Sequence, residues 1–181
     1  NFGASFQRYF TDGASRFDGM ANPILNLASN VLVSDVEYKS GNWAFGGRAF
    51  SGMISDEGLM ETDPTIASQY MPAKLGLMQG AQTHATYANN KFAFTASVGA
   101  AVESDTLLGA YTDGLLNFGN GKTTYVDAFA KYDLTDVISL SGRATFARTT
   151  SDANGMVVLG LSDIDSNAFA IGANVGNFEF S

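Results

Sequence analysis

The chain has 181 residues, enough for one domain, and 18 acidic against 10 basic residues give it a net charge of −8. This charge excludes the basic surface that nucleic-acid binding requires, and the absence of cysteine excludes disulfides, thiolate metal sites and cysteine nucleophiles. Only 15% of the residues are charged, against roughly 25% in ordinary soluble domains, whereas glycine (20 residues) and aromatic residues (12%) are abundant. The composition indicates one β-rich domain over residues 1–181 with little charged surface.

Apolar residues alternate with small or polar ones along most of the chain, which is the two-residue period of a β-strand whose faces differ. The runs with this period are 2–10, 32–39, 42–51, 83–88, 91–101, 123–132, 138–146 and 169–175, and shorter strands are predicted near Leu75, Leu107 and Val157. The sequence therefore predicts an all-β domain of about ten strands.

Short polar segments separate several of these runs and favour tight hairpins. A polar turn is predicted at 132–136, and three residue pairs supply side chains that tolerate the positive φ angles of such turns: Ser40-Gly41, Asn89-Asn90 and Asn120-Gly121. Consecutive strands are therefore expected to pair as an antiparallel meander, which forms a β-barrel or a strongly curved sheet.

Helical signals are confined to one place. Asp63 followed by Pro64 matches the preferences of an N-cap and a first helical residue, so at most one short helix, Thr65 to Tyr70, is predicted before Pro72. No run approaches the roughly 18 apolar residues of a membrane-spanning helix.

The alternation also divides the strands into two rows of side chains. The row predicted to line a barrel interior contains Ser139, Ser141, Arg143, Thr145 and Asp127. Of these, Arg143 is expected to point inward, towards Asp127 on the neighbouring strand, because a charge facing lipid at mid-bilayer costs roughly 2 to 4 kcal/mol. The row predicted to face lipid or a core contains Phe92, Phe94, Val98, Ile138, Leu140, Phe146, Phe169 and Ile171.

The polar row indicates which solvent the apolar row meets. It is composed mainly of Ser, Thr, Gly and Ala rather than Lys and Glu, and aromatic residues fall near strand ends, both of which are typical of outer-membrane barrels. Membrane lipid is therefore the expected partner. The alternative is a soluble, periplasmic or secreted barrel or sandwich that binds a small apolar ligand or serves as a structural surface domain. The aromatic residues concerned are Tyr38, Trp43, Tyr87, Phe92, Tyr132 and Phe146.

No recognisable catalytic or metal motif occurs in the sequence. Ser51 lacks the glycine turn of a serine nucleophile, and the single histidine, His84, is expected to be an ordinary member of the polar row. Asp163 and Asp165 lack the glycine and glutamate of a dedicated calcium loop and are expected to form a solvated turn. The chain is therefore predicted to be non-catalytic and to bind no cofactor or metal.

Three glycine-punctuated stretches carry a family resemblance: Glu103 to Gly114, Leu116 to Ala128 and Tyr132 to Leu140. They resemble the C-terminal region of subtilisin-like serine proteases of Gram-negative bacteria, many of which are autotransporters. The resemblance implies a β-barrel translocator at the outer membrane or cell surface, serving the secretion or display of an upstream protease domain that carries the catalytic triad. The chain stops at Ser181 without the terminal aromatic residue of such barrels, so it is expected to be a piece of a barrel region.

Overall fold

The strands follow one another as a meander. The computed structural model describes residues 2–9, 24, 27–55, 75–104, 106–108, 110–111, 119–152, 162–176 and 178–180. Within these residues the strands are β1 (Phe2–Tyr9), β2 (Ser29–Ser40), β3 (Trp43–Ser55), β4 (Leu75–Ala88), β5 (Phe92–Ser104), β6 (Thr106–Leu107), β7 (Ala110–Tyr111), β8 (Gly121–Asp133), β9 (Ile138–Ser151), β10 (Ile164–Val175) and β11 (Phe178–Phe180).

Nine of these strands form one antiparallel sheet in the order β1-β2-β3-β4-β5-β8-β9-β10-β11, and β6 pairs with β7 in a separate two-stranded ribbon. The all-β prediction is confirmed, and the described residues contain no α-helix. Among these strands the sheet is not closed, because β1 and β11 each have a single neighbour. The predicted helix after Pro64 and the short strand near Val157 lie outside the described residues.

Two predicted hairpin turns differ from expectation. The turn after Asn89 has no residue with positive φ; instead, the Asn89 side-chain oxygen accepts hydrogen bonds from the backbone amides of Lys91 and Phe92, both at 2.9 Å. An asparagine side chain thus replaces the expected backbone conformation. The hairpin predicted at Asn120-Gly121 is wrong, because Gly121 begins β8, whose neighbours are β5 and β9. The turn at Gly41, with φ 57°, is as predicted.

Connections at the two ends of the sheet have different lengths. At one end, which we call the turn end, the strands are joined by residues 41–42, 89–91, 134–137 and 176–177. At the opposite end, which we call the loop end, the connections are 10–28, 56–74, 105–120 and 152–163. Because strand direction alternates at every step of the meander, successive connections lie at opposite ends of the sheet. Short and long connections alternate along the chain, so all the short ones lie at the same end.

The two faces of the sheet have opposite environments. On the face that we call outer, large apolar side chains are exposed, whereas on the inner face most side chains are buried or half-buried. An apolar cluster on the inner face includes Val31, Phe50, Met78 and Tyr125, from four different strands. Among the described residues, Ile24 and Ala28 pack against this cluster from the connection before β2.

Three glycines on the inner face make room for rings on the adjacent strand. Gly46 lies directly opposite His84, Gly80 opposite Phe50, and Gly99 opposite Tyr125; in each pair the ring lies over the glycine. These pairs are called glycine sockets below, because the missing Cβ leaves the space that the ring occupies.

Replacing Gly99 by alanine is expected to destabilise the fold by roughly 1 to 3 kcal/mol, as overpacking usually does. The new Cβ would lie 2.6 Å from the Tyr125 ring and 2.8 Å from the backbone oxygen of Ala81. Gly142→Ala on the outer face is the matched control, because its Cβ would lie 3.9 Å from the nearest atom. Urea unfolding of both variants measures the difference, and an equal effect of the two would contradict the socket.

Candidate functional site

The outer face carries all eight residues predicted to face lipid or a core. Six of them are exposed and two, Phe92 and Ile138, are half-buried. Ile171 is the extreme case, with 86% of its surface exposed. Contiguous exposed apolar surface is rare in soluble monomers and marks a surface that contacts a partner or lipid. The six exposed residues are Phe94, Val98, Leu140, Phe146, Phe169 and Ile171.

This apolar band has a defined limit at the loop end. Along β9 the outer residues are apolar or small from Ile138 to Phe146, and the next outer residue is Arg148. Arg148 donates two hydrogen bonds to Asp165 of β10, at 2.7 and 3.1 Å, and both side chains are exposed. With the usual strand rise, Ile138 to Phe146 span about 26 Å along the strand.

Aromatic residues lie at both limits of the band. At the turn end Trp43 stacks on Phe45 with ring centroids 5.8 Å apart and meets Tyr87 edge-on at 5.2 Å. At the loop-end limit Phe146 meets Phe169 edge-on at 5.6 Å. Indole and phenol groups have an apolar body and a polar atom, so Trp43 and Tyr87 suit a boundary between apolar and polar surroundings, whereas the phenyl rings of Phe146 and Phe169 carry no polar atom.

The inner face carries the five residues predicted to line an interior. Asp127 accepts hydrogen bonds from Arg143 at 2.7 and 2.6 Å and from the Thr145 hydroxyl at 2.6 Å. The Asp127 and Arg143 side chains are only 3% and 14% exposed. Ser139 is buried and Ser141 is half-buried on the same face. The structure therefore brings the single inward arginine of β9 against the acidic residue expected to partner it.

Further ionic pairs on the inner face were not anticipated from the sequence. Arg48 donates to Asp35 at 2.9 Å, and Glu37 lies 3.0 Å from Lys39 and 3.6 Å from His84 Nε2. The sequence signal that could have revealed these pairs is the alternation in β2 and β3, which places all four charged residues in the inner row. Asp35, Glu37 and Arg48 are half-buried and Lys39 is exposed, so this part of the inner face still reaches solvent.

The inner face is not polar throughout, which corrects the expectation of a polar row. Towards the loop end it carries the apolar cluster of Val31, Val33, Phe50, Ile54, Met78, Ala101 and Tyr125, together with Ile24 and Ala28 from the connection before β2. The polar inner rows of β5 and β9 dominated the sequence pattern, whereas β2, β3 and β4 contribute five of the seven apolar strand residues in this cluster.

The residues considered for catalysis do not converge. Ser51 lies in the outer row of β3, whereas His84 is in the inner row of β4, so the sheet separates them. The described residues contain no group of three His, Asp or Glu side chains able to hold a metal ion. Both Asp165 carboxylate oxygens accept hydrogen bonds from Arg148, so this group is engaged in an ion pair.

Comparison with known proteins returned no matching family model, no matching curated protein and no matching solved structure. In the part of the chain that the structure describes, no helix is long and apolar enough to span a membrane.

Proposed function

We propose that this chain is a non-catalytic β-barrel domain of the outer-membrane type, with its outer face in lipid. The observation that carries the proposal is the inversion of the two faces: apolar side chains such as Val98, Val126 and Phe146 are exposed, while Asp127 and Arg143 are buried opposite them. In water this arrangement exposes apolar surface and desolvates charge at the same time. In a bilayer the outer residues are matched to hydrocarbon.

Two independent features support the same orientation. Short turns at one end and long connections at the other are the pattern of outer-membrane barrels, whose short turns face the periplasm and whose longer loops face outward. Trp43 and Tyr87 at the turn-end limit of the apolar band correspond to one of the aromatic girdles of such barrels. The turn end is thereby assigned to the periplasm and the loop end to the exterior.

Closure of the sheet into a barrel is part of the proposal and constrains strand pairing. The nine strands of the meander alternate in direction, so β1 and β11 run the same way. An antiparallel barrel needs an even number of strands. β1 therefore pairs either with β10 or with a further strand. Pairing with β10 is possible because its residues Ile164 to Gly172 extend beyond the three-residue pairing with β11.

The biological role follows from the sequence resemblance described above. We propose that the barrel is the translocator region of a subtilisin-like autotransporter protease in a Gram-negative bacterium, supporting export or surface display of a protease domain upstream. The separation of Ser51 and His84 on opposite faces supports the absence of catalysis in this region.

The fluorescence of Trp43 tests the membrane orientation, because it is the only tryptophan of the chain and lies on the outer face at the turn end. Folding into phospholipid vesicles is expected to shift its emission to the blue. Lipids brominated near the headgroup should quench it more strongly than lipids brominated near the chain terminus, because tryptophan at a girdle lies at the interface.

A variant with its tryptophan at mid-band provides the matched control. In the double variant Trp43→Phe, Ile171→Trp, the depth order should reverse, since Ile171 lies opposite Gly142, midway between Ile138 and Phe146 on the outer face. A chain that is folded and monodisperse in buffer, with Trp43 emission unaffected by vesicles, would instead favour the soluble barrel.

A further inference from the structure

The ribbon of β6 and β7, which we call the inner hairpin, lies on the inner face at the loop end. Its pairing joins Thr106 to Tyr111 and Leu107 to Ala110. Thr106 is completely buried, although it directly follows the end of β5 in the long 105–120 connection. This part of the connection therefore folds back over the sheet instead of extending away from it.

Two glycines on the inner face leave the space that the inner hairpin occupies. A Cβ on Gly76 of β4 would overlap the methyl group of Thr106. A Cβ on Gly121 of β8 would lie 3.2 Å from the Thr106 carbonyl oxygen and 3.3 Å from Leu107. The inner hairpin thus spans from β4 to β8 across the inner side of β5, at the loop end of the sheet.

A buried carboxylate holds the inner hairpin in this position. Glu103, the inward residue of β5 opposite both Met78 and Gly121, is only 1% exposed. Its carboxylate accepts hydrogen bonds from the Thr106 hydroxyl at 3.1 Å and from the Leu108 backbone amide at 3.2 Å. A carboxylate buried to this extent is tolerated only where hydrogen bonds replace its hydration.

The backbone at Leu108 is consistent with a segment held by contacts rather than by local preference. Its φ of 51° is the only positive φ of a non-glycine residue in the described chain. The left-handed region is unfavourable for leucine, and such conformations persist only where the surroundings impose them. The hydrogen bond from the Leu108 amide to Glu103 supplies one such constraint.

We propose that the inner hairpin is a latch that closes the loop-end mouth of the barrel, and that the Glu103 carboxylate holds it shut. This inference rests on the proposed function, because only a closed barrel has a mouth. The position of the hairpin on the inner face does not depend on whether the outer face meets lipid. The inner residue that follows Gly121 on β8 is Thr123, which is 1% exposed and paired with Thr149 at 2.8 Å, and we expect the closed latch to restrict the access of solutes from the loop end to it.

Cysteine labelling tests the latch, because the chain has no native cysteine. A Thr123→Cys probe in the folded protein is expected to react slowly with a water-soluble maleimide. Adding Glu103→Ala should accelerate labelling at least about tenfold, since both hydrogen bonds to the hairpin are lost. Glu103→Gln keeps an oxygen that can accept from the Leu108 amide, so it should accelerate labelling to a smaller extent.

Two controls make the test specific. A Thr150→Cys probe on the exposed outer row should react at the same rate in every background. Glu37→Ala removes a carboxylate from the same inner face away from the hairpin and should leave Thr123→Cys labelling slow.

Several results would overturn the latch. One is a Thr123→Cys probe that reacts as fast as Thr150→Cys in the otherwise unchanged chain. Another is a rate that neither Glu103 variant alters; if Glu103→Ala does not fold, an unchanged rate in Glu103→Gln is sufficient. A third is equal acceleration by Glu37→Ala. Acceleration by the Glu103 variants in buffer, in a chain that ignores vesicles, would support the latch while refuting the membrane barrel.

Discussion

Replacing Arg143 by alanine is expected to lower the free energy of unfolding by about 3 to 5 kcal/mol, because it leaves the buried Asp127 carboxylate without its cation. Asp127 would keep only the hydrogen bond from Thr145 among the contacts described for it. Removing one partner of a buried ion pair costs more than the pair contributes, since the remaining charge stays desolvated.

The chain contains a closely matched control for this experiment. Arg148 and Asp165 form the same kind of two-hydrogen-bond pair between neighbouring strands, but on the outer face, where their side chains are 60% and 69% exposed. Arg148→Ala should therefore cost much less than Arg143→Ala, because exposed ion pairs contribute little to stability. Urea unfolding of both variants, in the medium that keeps the chain folded, measures the difference. Equal losses would mean that the inner face is as hydrated as the outer one.

Replacing Ile171 by arginine is expected to destabilise the lipid-inserted protein by about 2 to 4 kcal/mol, the usual cost of a cation facing mid-bilayer from a barrel strand. Ile171 is exposed and lies opposite Gly142, midway between Ile138 and Phe146, at the centre of the apolar band. In water the same substitution adds a charge to an exposed site and should change stability by about 0.5 kcal/mol or less.

Asn167→Arg is the control for position along the band. Asn167 is exposed in the outer row of β10, near the Arg148 and Asp165 pair at the loop-end limit, where arginine can reach headgroups or water. Folding into vesicles, followed by unfolding in urea, should show a large loss for Ile171→Arg and little change for Asn167→Arg, four residues away on the same strand. Near-neutral results for both would indicate that the outer face meets water.

The alternation of residue types predicted most of the long strands and divided their residues into two rows, because side-chain direction in a strand depends only on position modulo two. For the same reason it identified Arg143 and Asp127 as candidates for one inner pair. It did not identify the inner hairpin, since the segment around Leu107 was predicted as a short strand without a partner. The position of that segment depends on Gly76, Glu103 and Gly121, which lie on three different strands.

Turn chemistry was predicted less well than strand faces. Gly41 has the expected positive φ, but Asn89 forms its turn by accepting hydrogen bonds on its side chain, a choice that residue type alone does not distinguish. Gly121 resembles a hairpin glycine in sequence, yet the structure places it at the start of β8, where its missing side chain accommodates Leu107. This glycine is therefore explained by its contact with Leu107, which is close in space but distant in the sequence.

The glycine sockets bear on how the strands find their correct alignment. Sliding one strand by a single residue would exchange the two faces, and burial opposes that error strongly. A slip of two residues keeps every side chain on its proper face, so the apolar pattern cannot detect it. Such a slip would bring Tyr125 from Gly99 onto Ser97 or Ala101, and Phe50 from Gly80 onto Met78 or Gln82. Each ring would then collide with a side chain, so the sockets act as alignment marks that select one register from those the alternation alone permits.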